Sequence, residues 1–386
     1  MKILTIASTP FFSDRGCHIR IYNEAKYLQK LGAEVEICTY HNGENIEGLK
    51  IHRISEVNWY KKASPGFAWG KLWLDLKLLF LCVKMLRRHN FDIIHAHLFE
   101  SLAIAKIAKI MAFKKIPIVV DLQGDISEEF SSYNKKNKII GKFFNWLSKI
   151  VFSWADAILV SSQNALEIIK QKHKTQKPIE IVGDGIDEEL FQKPDPKKYF
   201  NSKEELDEIK EWKGTSKLLI YAGGMSDNKG VGEMLDEFIS NFERIKDWKL
   251  IFYGKGEKKE EYLHKTIQTG QENRFWFARE NGYFSLPHYL GLADLAIEPK
   301  QNSSESSAKI ATYMAASLPI ICFENDFNRE ILGEKGFYLN NWKDFSLKLE
   351  ELSKTDLIEK KKYDLEKFSE KKQVEILLGL FKKVLI

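Results

Sequence analysis

The chain has few cysteines and none arranged to work together. Cys17, Cys38, Cys82 and Cys322 are its four, scattered over 386 residues without a paired motif. That spacing excludes a disulfide framework and a cysteine zinc site, and it predicts a reducing compartment. Long apolar runs are missing too. The richest stretch, Leu72 to Leu86, is interrupted by Asp75, Lys77 and Lys84, so no bilayer span is expected. The segment Met1 to Ala7 runs straight into a buried-strand pattern and lacks the features of a cleavable signal. Low-complexity tracts and short repeats are absent. A net charge of +5 is small for this length and makes no case for nucleic acid. These absences predict a cytoplasmic protein, with a peripheral membrane location still open.

Short β-rich runs alternate with longer helical patterns. The length is too great for one ordinary core and suggests two domains of about 180 residues each. Strands are expected at Ile3–Ala7, Val35–Thr39, Ile51–Ile54, Ile93–Ala96, Ile118–Asp121, Ala157–Val160 and Ile179–Val182. The second half repeats the plan at Leu218–Ala222, Leu250–Tyr253, Phe275–Phe277, Leu295–Ile297, Pro319–Cys322 and Gly336–Leu339. Such alternation predicts parallel sheets with helices on both faces. The expected fold is α/β, with two doubly wound Rossmann-like domains facing across a cleft. The first domain is expected to span 1–183 and the second 184–367. The boundary is marked by Gly183-Asp184-Gly185-Ile186-Asp187, and a polar connection runs from Pro194 and Pro196 through Lys213. The final stripe Val374, Leu377, Leu380, Phe381 and Val384 needs a surface to cover, so a helix over about 368–386 is expected to pack back on the first domain.

The stretch Gly223-Gly224-Met225-Ser226-Asp227-Asn228-Lys229-Gly230 lies between an apolar strand run and the helical pattern Val231, Met234, Leu235, Phe238. A strand, a glycine turn and a helix start present free backbone N–H groups at the helix N-terminus, which suits an anion. Lys229 adds a positive charge. A phosphate-bearing ligand is the functional reading; an ordinary glycine turn of an α/β protein is the plain one.

Read together, several segments resemble the GT-B glycosyltransferases of family 4, retaining enzymes that use nucleotide-sugars. They include Thr9-Pro10 through Gly16-Cys17-His18, Phe91 to His97, Ala155 to Ile158, and Gly183 to Asp187. The second half adds Tyr221 to Gly230, Tyr253-Gly254-Lys255-Gly256-Glu257, Pro287 to Leu290 with Ala293-Asp294, and Lys309 to Pro319. The resemblance covers nearly the whole chain. It implies transfer of a hexose from a UDP- or GDP-sugar to a hydroxyl of a glycan, polysaccharide or lipid-linked acceptor, with no metal or other cofactor. The alternatives are a nucleotide-sugar epimerase and a catalytically silent GT-B-fold binding protein.

The resemblance also implies site residues. Gly16 would let the backbone approach the donor, or simply make a tight turn. His18 and Arg20 at the following helix start would face the cleft or lie exposed. Gly223, Gly224, Lys229 and Lys309 would border the diphosphate, with Gly224 standing where the family usually has an arginine. Losing that planar cation leaves Lys229 and Lys309 to hold the phosphates. Ser304, Ser306 and Ser307 would open a helix and bind phosphate as caps do. The family's glutamate pair falls on Ser304, with Glu305 adjacent, and on Thr312. Glu305 is then the candidate for the sugar hydroxyls. The family's catalytic-loop histidine aligns with Gln123, which cannot act as a base; Asp121 or Asp125 would replace the charge. His95 and His97 sit two apart at a strand end, but no third ligand is near in sequence, so no metal is expected.

The pattern Trp69, Leu72, Trp73, Leu76, Leu79, Phe80, Val83, Leu86 forms one helical stripe suited to cover the sheet. Leu74, Leu78, Leu81 and Met85 form a second, and Lys77, Lys84 and Arg88 gather on the remaining face. With Lys61-Lys62, and with the basic run from Asn134 leading to Phe143, Phe144 and Trp146, segments 61–88 and 134–146 fit an anionic membrane surface at the inner face of the cell membrane. A buried helix with solvated lysines is the plain alternative.

Overall fold

The computed structural model describes residues 1–58, 69–122, 152–173, 176–192, 203–279, 282–301, 308–354 and 360–386. The chain forms two compact units. One comprises Met1–Gly185 with Glu370–Ile386, and the other Ile186–Ser369. The division falls after Gly185, where the sequence suggested Gly183.

Seven strands of the first unit lie in one parallel sheet among the described residues: β1 (Lys2–Ala7), β2 (Glu34–Thr39), β3 (Lys50–Arg53), β4 (Ile93–His97), β5 (Ile118–Leu122), β6 (Ala157–Val160) and β7 (Ile179–Ile181). Their spatial order is β3-β2-β1-β4-β5-β6-β7. The chain therefore starts in the middle, winds one way to β3, then crosses back to β4, which makes β1/β4 the switch point of a doubly wound sheet. Alternation of side chains sorts each strand by face. Leu4, Ile6, Ile94, Ala96, Val120 and Leu122 enter one core, shared with the helices Trp69–Arg88 and Phe99–Met111. The opposite face carries His95, His97 and Asp121 and meets the helix Gly16–Lys30. The C-terminal helix Glu370–Leu385 packs on that helix and on β6 and β7, burying Val374, Leu377, Leu380 and Phe381.

The second unit repeats the winding with β8 (Lys217–Ala222), β9 (Trp248–Tyr253), β10 (Phe275–Phe277), β11 (Leu295–Glu298), β12 (Ile320–Phe323) and β13 (Gly336–Leu339), in the order β10-β9-β8-β11-β12-β13. All pairings are parallel, and β8/β11 is the switch point. Its core is dominated by Tyr221, Phe238, Trp248, Phe252, Phe323 and Phe345.

Two expectations need correction. The polar connection ending at Lys213 is helical from Lys203, and this helix belongs to the second unit's packing. Glu205 is buried there because it accepts from the Tyr289 hydroxyl at 2.7 Å, the Trp276 indole at 2.8 Å and the Arg279 amide at 2.8 Å. Positions 193–202 lie outside the described residues. In the helix Trp69–Arg88 the first stripe splits, since Leu79, Val83 and Leu86 are buried and its other described members are not. Leu74, Leu78, Cys82, Met85 and Leu86 are buried, whereas Leu72, Trp73, Leu76 and Phe80 are exposed. The cause is the neighbouring helix Phe99–Met111, which packs alongside and adds to the surface that the buried stripe must meet. No helix among the described residues is long and apolar enough to cross a membrane.

Candidate functional site

The sharpest local chemistry lies at the β8/β11 switch point. Beyond the pairs Leu295–Leu219 and Ala296–Ile220 the two strands stop pairing. The Tyr313 hydroxyl fills the gap, accepting from the Ala222 amide at 2.9 Å and lying 3.2 Å from the Ile297 carbonyl. Tyr313 sits one turn beyond Lys309 on the helix Ala308–Ala315, so its anchoring sets the position of Lys309. The Lys309 ammonium donates to the buried Glu298 carboxylate, the last residue of β11, at 2.8 Å. Its side chain lies across Gly223. A Cβ at position 223 would stand 2.5 Å from Lys309 Cε and 2.8 Å from the Tyr221 hydroxyl, so a side chain there would push the lysine from its place.

The loop that follows is held from below. Tyr221 donates to the Gly224 carbonyl at 2.7 Å. The Gly223 amide donates to the Tyr253 carbonyl at 2.8 Å, and the Met225 amide to the Lys255 carbonyl at 3.0 Å, so the loops after β8 and β9 run side by side. Asp227–Lys229 forms a single 3₁₀ turn, and Gly230 then caps the helix Val231–Ser240 at φ 73°. A side chain at 230 would be strained by that φ and would collide with the Pro299 carbonyl after β11. The loop after β8, the half-buried Lys229 near its end and the Lys309–Glu298 pair all lie at the carboxyl end of the central strands of this sheet.

Gly224 is exposed, and a Cβ there would meet only the Lys255 carbonyl, at 3.8 Å. The structure leaves room for the side chain that this chain lacks. Thr312 directs its hydroxyl to the Ala308 carbonyl at 3.0 Å, inside its own helix. Ser304, Glu305, Ser306 and Ser307, together with Gln123, Asp125 and the segment 134–146, lie outside the described residues.

The first unit has a different chemistry at its strand ends. Gly16 is exposed at the start of its helix, with nothing within 4 Å of a Cβ built there. His18 and Arg20 are both buried, which removes the exposed alternative. The Ser13 amide can only donate, and it reaches His18 Nδ1 at 2.9 Å. The Nε2 nitrogen therefore carries the proton and donates to the Thr9 hydroxyl. Burial pushes the His18 imidazole down to about 4, so it is neutral at ordinary pH.

Arg20 and Glu24 sit one turn apart on that helix and face β4 and β5. Arg20 grips Asp121 with two bonds, Nε to Oδ2 at 2.7 Å and Nη2 to Oδ1 at 3.0 Å, and its Nη1 reaches Asp184 at 3.1 Å. His97 is the register partner of Asp121 on the adjacent strand, and its Nδ1 lies 3.1 Å from Asp121 Oδ2. Burial alone would raise the Asp121 carboxyl, but the Arg20 guanidinium and then His97 hold it far below the usual carboxylate range. Burial pushes His95 and His97 down, toward the neutral ring. Burial, then the charge of Asp121, push Glu24 well up against the pull of Arg20. Asp121 is fully buried, with both carboxylate oxygens on Arg20 and one of them also facing His97. Sequence reading missed Glu24 and the Arg20–Asp121 pair. Their one signal was Arg20 and Glu24 at helical spacing, on a helix otherwise expected to bury apolar groups.

Comparisons with known proteins fit this topology. The model of glycosyltransferase family 4 matches residues 15–190, and that of glycosyl transferases group 1 matches residues 216–355. The two models together cover most of the chain, family 4 on its first half and group 1 on its second, and mark it as a glycosyltransferase. The sulfoquinovosyl transferase SQD2 of Arabidopsis thaliana is 24% identical over 357 residues, covering 87% of this chain. The chain spans 63% of the length of that relative. Among solved structures, HepE from Anabaena in complex with UDP superposes with a TM-score of 0.66 at 14% identity, over 99% of this chain and 100% of the other. Sucrose-phosphate synthase from Thermosynechococcus elongatus gives 0.65 at 13% identity, over 99% and 96%. The fold of this glycosyltransferase is GT-B.

Proposed function

We propose that this glycosyltransferase moves a hexose from a UDP-sugar to a hydroxyl of a glycan, polysaccharide or lipid-linked acceptor, with retention at the anomeric carbon. The observation that carries the reading is Lys309 laid across Gly223 at the β8/β11 switch point, beside the amide-rich loop that ends in Lys229. A uridine diphosphate is supported over other nucleotides by the HepE structures, which hold UDP and UDP-glucose.

In this reading the bond from the anomeric carbon to the diphosphate oxygen breaks and its electron pair leaves with UDP. A bond to the acceptor oxygen forms on the same face, and the leaving phosphate oxygen takes the acceptor proton. Negative charge grows on the diphosphate as the bond breaks, so fixed cations and amides there stabilise the transition state more than the ground state. Glu298 holds the Lys309 ammonium in place beforehand and so limits reorganisation. Nothing in this scheme asks Asp121 to act as a base.

The acceptor side is assigned to a membrane surface at the inner face of the cell membrane. Exposed Leu72, Trp73, Leu76 and Phe80 are continued at the same i+4 spacing by exposed Lys84 and Arg88. The adjacent helix, linked through the Lys71–Glu100 pair and the Arg87 bond to the Met111 carbonyl, adds exposed Ile107 and Ile110, and Phe113 follows it. Apolar groups fringed by basic ones suit an anionic bilayer.

A panel of nucleotide-sugars offered with and without acceptor, read by release of free nucleotide, tests the donor reading. Release from a UDP-sugar that rises with acceptor is expected; turnover restricted to another nucleotide would overturn the donor assignment. For the surface, Lys84→Glu with Arg88→Glu is expected to lower co-sedimentation with phosphatidylglycerol vesicles at least tenfold, and unchanged sedimentation would remove it.

A further inference from the structure

Four buried side chains of the first unit converge on one point. Glu24, His95, His97 and Asp121 each offer a ligand atom within 4.8 Å of the others. They arrive from three elements. His95 and His97 share one face of β4, Asp121 is the register partner of His97 on β5, and Glu24 projects from the helix Gly16–Lys30. Two polar groups in this cluster lack hydrogen bonds among the described residues. Neither oxygen of the Glu24 carboxylate, 2% exposed, accepts one, and His95 Nε2 has none. Arg20 Nε stands 3.0 Å from Glu24 Oε1, but its single N–H is directed to Asp121 Oδ2. A buried carboxylate without a donor is costly and rare.

The charges are also unequal. Arg20 is one cation against the buried Glu24 and Asp121, with the buried Glu370 and the exposed Asp184 also acting on the cluster. A divalent ion would offset part of that excess of negative charge. The arrangement also has the form of a metal site with its outer support. Asp121 takes the Nδ1 side of His97, which leaves Nε2 turned toward Glu24 Oε2 at 3.6 Å; His95 Nδ1 lies 3.9 Å from the same oxygen. A carboxylate behind a histidine, with a second histidine and a second carboxylate in front, is how two-histidine, one-carboxylate sites are oriented. Ligand atoms around a zinc ion at about 2.0–2.2 Å stand slightly closer together than these distances, so the side chains would contract by a few tenths of an ångström.

We infer that Glu24, His95 and His97 hold one divalent transition-metal ion of the zinc type, with Asp121 and Arg20 as the supporting layer. Its role is to staple β4 to the helix Gly16–Lys30; every ligand is buried and no substrate reaches it. His95 meets Phe381 of the C-terminal helix edge-on at 5.2 Å, so the same ion would fix the surface on which that helix lies.

The test uses the full chain, purified from zinc-supplemented medium, dialysed against metal-free buffer and assayed for metal by mass spectrometry. About one zinc per chain is expected. Stripping with a chelator should lower the melting temperature, and zinc should restore it. Cobalt(II) loaded in place of zinc should show visible bands of a nitrogen–oxygen site. Glu24→Gln keeps the shape of the side chain and should weaken metal binding at least 100-fold, while Asp121→Asn should weaken it about 10–100-fold. A metal-free chain whose melting temperature is unmoved by excess zinc would overturn the assignment and leave a protonated Glu24 as what relieves the cluster. Cobalt bands unchanged in folded Glu24→Gln would overturn it equally, by placing the ion elsewhere.

Discussion

The strand ends of the two units share a winding and differ in chemistry. In the first, His97 ends β4 and Asp121 stands opposite it near the end of β5, and the charge beside them is buried, with Arg20 clamped on Asp121 from the covering helix. In the second, Gly223 follows β8 and Glu298 ends β11, and the cation over them, Lys309, keeps part of its side chain in solvent. A rigid, planar guanidinium held by two bonds is a structural tie. A lysine on a flexible, part-exposed stem can turn its ammonium toward a further anion. The same topology therefore carries a closed polar core in one unit and a part-exposed cation over the strand ends in the other.

The largest effect should come from breaking the closed side. Arg20→Ala leaves Asp121 and Glu24 buried without their cation and should cost about 3–5 kcal/mol in urea unfolding. A loss below 1 kcal/mol would show that these charges are not held as described.

Acid tests the same side next. His18 is buried and neutral with its pKa lowered to about 4. The unfolded chain binds the proton first, so this contribution is complete above about pH 6.5 and is lost as pH falls toward 4, about 3 kcal/mol in all. His18→Gln should flatten that part of the pH–stability curve, and a curve that superposes on the parent would refute the assignment.

On the open side, Lys309→Ala should lower kcat/KM about 10–100-fold, the size of a charge-assisted phosphate bond, and should also cost some stability by leaving Glu298 buried without its ammonium. Lys229→Ala should cost at least about tenfold, or 1.4 kcal/mol. If stability falls and transfer survives, Lys309 is a structural tie like Arg20 and the contrast collapses. The smallest effect sharpens the comparison by gain. Gly224→Arg has room for its Cβ and should tighten UDP binding about three- to tenfold by calorimetry. Unchanged affinity would separate position 224 from the phosphates.

Much of the scaffold was readable before folding was considered. Each expected strand forms in its place because apolar β-rich runs between helical patterns have few other ways to bury themselves. The glycine stretch from Gly223 to Gly230 was legible for the same local reason, since a strand-to-helix turn needs those conformations. Helix faces were less legible. Leu72, Trp73, Leu76 and Phe80 fit a core stripe as well as Leu74, Leu78 and Met85 do, and only the neighbouring helix chose between them.

Least legible was the polar cluster. His95 and His97 lacked a third ligand nearby because the candidates, Glu24 and Asp121, are distant in sequence and adjacent only once β1, β4 and β5 pair. Periodicity and turn chemistry act over a few residues, so the sequence by itself determined the elements, their order and the doubly wound class. Which charges meet was decided by the tertiary structure, because burial and strand register bring together groups as far apart as Arg20 and Asp121, or Gly223 and Lys309. Electrostatics inside a protein depends on those distances and on exclusion of water, and neither is set until the layers close.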